Sequence, residues 1–147
     1  MKVLVISDCA MTGFGRVGRE ISTGLLGLGH DVRIIGINWR GVDGELVASI
    51  GRGTIGEQGD RIAARLAELR ADPLTDRIMP STAGGDGMGH NLTAPALEGH
   101  LWDGWVPEAM VLVGDPKAAF DRIVRDGGSI ARAKARGIPM LNYVPIE

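Results

Sequence analysis

The sequence predicts an α/β domain built on a doubly wound parallel sheet with helices on both faces. Three observations carry that expectation. First, short apolar runs follow Lys2 as far as Ser7, then fill 32–37 and 109–113, and they are rich in Val and Ile. Runs of that length and content suit strands covered on both faces. Second, segments of helical periodicity lie between them. Third, this 147-residue chain has 23 glycines, most of them in the connections between periodic segments, without a repeat. That is about twice the average usage, and here it reads as loops of an α/β domain.

The first strand feeds a loop, Asp8 to Phe14, and then a helix. Val17, Ile21, Leu25 and Leu28 recur at steps of four, four and three and define one helical face. Gly18, Gly24 and Gly27 thin that helix and permit close packing, each at a cost in helix propensity. Gly29-His30-Asp31 makes a turn into the second strand, with His30 as a structural turn residue. A short strand is expected over 45–50, and a mobile glycine-rich loop over 51–59. Asp60 then caps a helix carrying Ile62, Leu66 and Leu69, which ends at Asp72-Pro73. A further strand covers Arg77 to Met79.

Four glycines within 84–89 rule out regular structure there, and a helix follows from His90 or Asn91 to about Leu101. Trp102 to Trp105 reads as packing. After the 109–113 strand, Asp115 and Pro116 suit the N-cap and first position of a helix with Ala119, Phe120, Ile123 and Val124 on its apolar face. Ser129 caps a last helix, 130–136, which Gly137 closes before a final strand over 138–144.

The length fits one domain with a real core. A net charge of −2 gives no global basic field to recruit nucleic acid. One cysteine, Cys9, excludes an internal disulfide and fits a reducing, cytoplasmic compartment. The N-terminal apolar run is too short for a signal peptide core or a membrane span. Three histidines and one cysteine show no metal-ligand spacing, so neither a metal nor a cofactor is expected.

Functional candidates come from loops at strand carboxyl ends, where open α/β sheets bind ligands. Gly13-Phe14-Gly15-Arg16-Val17-Gly18 matches G-x-G-x-x-G formally. Five residues, Asp8 to Thr12, separate the first strand from the first glycine, however, and Asn38-Trp39 replaces the acid expected after the second strand. Both features count against NAD. A strand, a glycine loop and a helix start still form an anion site in principle. Alternatively, the glycines serve packing alone. Trp39 and Arg40 either stack on and pair with a ligand or pack at the domain edge. His90 and Asp86 either meet a substrate or belong to a surface loop. Asp115 is either a cap alone or a cap that also serves an active site.

Ser7-Asp8, then Thr12 to Val17, then Gly29-His30-Asp31-Val32 resemble the opening of family 4 retaining glycosyltransferases, which have the GT-B fold. The glycine loop before His90-Asn91, the 107–115 segment and Tyr143-Val144-Pro145 fall where that family's N-terminal domain has them. The resemblance spans nearly the whole chain; its opening motif is fairly specific and the later ones are loose. It implies that residues 1–147 form the Rossmann-like, acceptor-side half of a hexosyltransferase-like enzyme. Thr12, Gly13, Phe14, Gly15 and Arg16 would approach the donor diphosphate. Asn38, Trp39, Arg40 and Asp86 would lie on the acceptor side, and Asp115 or His90 would orient the acceptor hydroxyl. The substrates would be a nucleotide sugar and an acceptor.

The donor-binding domain with its paired glutamates has no counterpart in these residues. It is expected either beyond residue 147 or on a partner chain, and self-association is a further possibility. Two other classes compete: a stand-alone module binding a nucleotide or phosphorylated ligand without turnover, and an interaction subunit docking a partner at its crevice edge.

Overall fold

The computed structural model describes residues 1–9, 13–42, 57–84, 89–114 and 127–143. Among the described residues five strands form one sheet: β1 (Lys2–Asp8), β2 (Asp31–Ile37), β3 (Ile78–Pro80), β4 (Ala109–Val113) and β5 (Met140–Tyr143). Every pairing is parallel, in the order β3-β2-β1-β4-β5. Between them run α1 (Gly13–Gly27), α2 (Glu57–Ala71), α3 (His90–Glu98) and α4 (Gly127–Ala135). This is the Rossmann-like α/β arrangement that the alternation of apolar runs and helical segments predicts.

The alternation of side chains along each strand divides the core in two. Val3, Val5, Val32, Ile34, Val111 and Val113 face one side, where Val17, Ile21 and Leu25 of α1 and Leu69 of α2 cover them. Leu4, Ile6, Ile35, Ile37, Met110 and Leu112 face the other, under Leu92, Ala96 and Leu97 of α3 and Ala133 of α4. The central strand is buried on both faces, which explains why its sequence is a continuous apolar run rather than an alternating one.

Helix α1 lies close on β1 because Gly18 faces the strand. A Cβ built on Gly18 would stand 2.6 Å from Ser7 Cβ, and closer still to Ser7 Oγ. Gly24 and Gly27 do not share that role: a Cβ on either meets open space. Leu28 lies beyond the helix end and is 76% exposed, so the apolar face stops at Leu25 and Leu26.

Four helix boundaries shift from expectation. α1 begins at Gly13, so Gly13 and Phe14, expected in the loop, belong to its first turn. α2 begins at Glu57 and α4 at Gly127, which puts Asp60 and Ser129 inside the first turns instead of at the caps. α3 ends at Glu98 because Gly99, at φ +79°, turns the chain and returns its N–H to the Pro95 and Ala96 carbonyls. The strand expected over 45–50, residues 51–56 of the loop expected over 51–59, and the helix expected after Pro116 lie outside the described residues; residues 57–59 belong to α2 and not to a loop.

At the amino edge of the sheet, Asp31 joins three segments. Trp105 Nε1 donates to its Oδ2 at 2.7 Å, and Arg77 Nη1 donates to its Oδ1 at 2.9 Å. Trp105 in turn stacks edge-on with Trp102 at 5.5 Å, so the tryptophan pair is packing. Burial pushes the Asp31 carboxyl upward, but the two hydrogen bonds and the charges of Arg33 and Arg77 outweigh it, leaving its pKa below the usual carboxylate value.

Candidate functional site

Because the strands are parallel, their carboxyl ends share one edge. The strand order reverses between β1 and β4: the chain leaves β1 toward β2 and later leaves β4 toward β5. In open α/β sheets ligands bind at such a reversal, outside the carboxyl ends. Here the reversal is bounded by Ser7-Asp8 at the end of β1 and Val113-Gly114 at the end of β4, with Ser7 in register with Val113.

The first turn of α1 opens on this edge. The backbone N–H groups of a first helical turn have no carbonyl four residues back, and the helix dipole places partial positive charge there. Gly15 is buried and Phe14 is half-buried. Arg16 is exposed, and its Nε lies 3.0 Å from Glu20 Oε1 one turn on. At that exposure the pair contributes little to stability.

Two flanking positions behave differently from each other. Trp39 is 3% exposed and belongs to the core beneath α1, with the Arg19 guanidinium 5.9 Å from its ring centroid. Arg19 also pairs with Asp72, so the ring and the ion pair together tie α1 to the segment that follows α2. Gly36 makes room for this arrangement: a Cβ there would come within 2.9 Å of Trp39 Cβ and 3.2 Å of Cys9 Sγ. Arg40, one residue later, is exposed.

Cys9 is buried in the same cluster, and its N–H donates to the Ile37 carbonyl at 2.9 Å, extending the β1–β2 ladder. Burial pushes its thiol up to about 12; Arg19 opposes that shift, while Asp8 and Asp72 add to it. The thiol is therefore packing, not a nucleophile.

Asn38 ends β2 in the left-handed region, at φ +57°. The turn it makes carries Trp39 into the core and lets the Trp39 N–H reach the Gly36 carbonyl at 3.4 Å. The Asn38 side chain points the other way, along the edge, with Nδ2 3.5 Å from Asp8 Oδ2. Asp8 stands outside the residues singled out from sequence for a functional role. The available signal was its place as the first charged residue after the apolar run of β1.

The backbone of His90 starts α3, next to Gly89 in the left-handed conformation. Thr12, Asp86 and Asp115 lie outside the described residues. Among the described residues, no group of three or more His, Cys, Asp and Glu side chains is placed to hold a metal ion, and no helix is long and apolar enough to cross a membrane.

The fold and edge define a Rossmann-like α/β domain with a polar carboxyl edge at its topological reversal. Comparison with known proteins returned no match, whether to a family model, a curated protein or a solved structure.

Proposed function

We propose that this domain supplies the acceptor-side half of the cleft of a GT-B glycosyltransferase, which transfers a sugar from a nucleotide donor. The observation that carries the reading is the start of α1 at Gly13, directly beside the reversal between β1 and β4. Gly13 to Val17 of the glycosyltransferase-like motif open that helix, and the exits of β2 and β4 lie along the same edge.

The chemistry follows from charge. As the glycosidic bond breaks, negative charge grows on the departing diphosphate oxygen. Backbone donors and a helix dipole fixed toward that oxygen stabilise the transition state without reorganising. Arg16 adds a mobile cation. Asp115 and His90 remain the candidates for orienting the acceptor hydroxyl. A second Rossmann-like domain encloses the nucleotide and excludes water, which strengthens each of these interactions.

The test is a transfer assay on the chain combined with a donor-binding GT-B domain, across nucleoside-diphosphate sugars and candidate acceptors. Sugar transfer that is lost in Gly13→Val, with folding retained, is the expected result. A combined enzyme that never turns over, beside a lone chain that binds phosphorylated ligands tightly, would favour a stand-alone binding module instead.

A further inference from the structure

We infer that Arg33 and Arg77 form a binding site for the carboxylate of a small-molecule ligand at the amino end of the sheet, away from the carboxyl edge. Register brings the two arginines together. Ile34 of β2 pairs with Ile78 of β3, so Arg33 and Arg77 stand side by side, each one residue before that pair, on segments about 4.8 Å apart. Arg33 faces the same side of the sheet as Leu4, its partner in β1, and Asp31 shares that face two residues earlier on β2.

This corner therefore holds two guanidinium groups and one carboxylate. The carboxylate is engaged on both oxygens: Asp31 Oδ1 accepts from Arg77 at 2.9 Å and Oδ2 accepts from Trp105 at 2.7 Å. Arg77 also donates to the Val32 carbonyl at 3.2 Å. Arg33 adds its charge to the field at Asp31 without a hydrogen bond to it. Its Nε is buried and has no hydrogen-bond partner among the described residues. A buried guanidinium donor without a partner carries a desolvation cost, and a charged acceptor removes that cost most fully. Arg77 and Trp105 complete the Asp31 network, so the orphaned donor of Arg33 is left for a ligand.

The chemistry selects a carboxylate. The Nε–H and Nη–H of a guanidinium form a planar fork that matches the two oxygens of a carboxylate. Two arginines against one aspartate leave a single surplus positive charge, which a monoanion balances. A phosphate dianion would bring excess negative charge beside Asp31. The corner is open to solvent: the Arg77 and Asp31 side chains are 34% and 43% exposed. Arg33 is half-buried on a long stem with many rotamers, so its fork can turn to meet a ligand. None of this depends on the glycosyltransferase reading, because the site lies at the other end of the strands.

The experiment titrates the full chain with sodium acetate, with sodium phosphate, and with sodium chloride at matched ionic strength. It follows the arginine Nε–H resonances and the thermal midpoint. A saturable shift of the Arg33 Nε–H and a rise in midpoint with acetate are expected, with a smaller response to phosphate and none to chloride. Arg33→Lys keeps the charge but loses the fork, and should weaken acetate binding roughly threefold to tenfold. Arg33→Met keeps an unbranched stem without the charge, and should weaken it by about tenfold or more. Each variant is compared with its own ligand-free midpoint, so a change in stability does not mask a change in binding.

An equal response to chloride, which reduces the effect to salt screening, overturns the inference. So does acetate binding that Arg33→Met leaves intact, or the absence of a saturable shift at Arg33. Phosphate binding tighter than acetate binding overturns the assignment of a carboxylate.

Discussion

Gly18 and Ser7 are in direct contact across the interface between α1 and β1: the helix backbone sits where a side chain at position 18 would overlap Ser7. Gly24, almost two turns along the same helix, faces open space. Alanine at the two positions should therefore act with opposite signs. Gly18→Ala overpacks the interface and should destabilise by about 1–2 kcal/mol, the overpacking cost less the gain in helix propensity. Gly24→Ala should stabilise by about 0.5–1 kcal/mol. Denaturant midpoints of the two variants check both, and equal effects would mean that α1 does not lie on β1 through Gly18.

Asp31 predicts how stability falls in acid. Its folded pKa is depressed, so its charged form stabilises the fold above the unfolded carboxylate value of about 3.9. That contribution is lost as pH falls through the lower, folded value. Trp105 emission followed between neutral pH and strong acid should show the transition. Asp31→Asn should flatten the acid dependence in that window, and an unchanged profile would remove Asp31 from it.

Cys9 predicts the alkaline side. Its thiol titrates near 12 in the folded chain, above the unfolded value of about 8.5. Stability is full below the unfolded value and declines as pH rises toward the folded one. The same burial predicts slow labelling by thiol reagents at mild pH, at a rate set by opening of the fold. Rapid stoichiometric labelling of the native protein would contradict the buried position. Cys9→Ala should reduce the alkaline loss.

The ion pair of Arg19 and Asp72, roofing Trp39, is partly buried, so removing one partner costs more than at the surface and less than in a closed core. Asp72→Ala should destabilise by about 1–3 kcal/mol. The companion Asp72→Asn retains an acceptor and should lose less. Urea unfolding of the two variants decides, and equal losses would mean that the charge carries the interaction.

The sheet was legible because its central strands are buried on both faces, and that leaves an apolar run in the sequence at Val3 to Ile6, at Ile34 to Ile37 and at Met110 to Val113. Gly137 was legible as a helix stop because a left-handed closing residue favours glycine. Helix starts were harder. Asp60 and Ser129 suit a cap, but acidic and small polar residues are also acceptable within a first turn, so the starts slipped by three or four residues.

Glycine identity alone did not say which of Gly18, Gly24 and Gly27 meets a strand; that depends on how the helix lies on the sheet. The same holds for Trp39. An aromatic residue after a strand suits a ligand platform or a core, and the left-handed turn at Asn38 decides for the core. The approach of Asp8 to Asn38 joins positions 30 residues apart and depends on the β1–β2 register, which no local pattern encodes.

The most direct test of the account is calorimetric titration of this chain with nucleoside-diphosphate sugars, alone and then with a donor-binding GT-B domain present. Hydrogen bonds from an open first turn of α1 compete with water and have modest net worth, so the chain alone should give little heat. Binding should appear with the second domain and vanish again in Gly13→Val, where a β-branched side chain obstructs the approach of phosphate to the backbone. Tight binding by this chain alone, or binding with the second domain that Gly13→Val leaves intact, would contradict the proposal that α1 faces the donor from one half of a shared cleft.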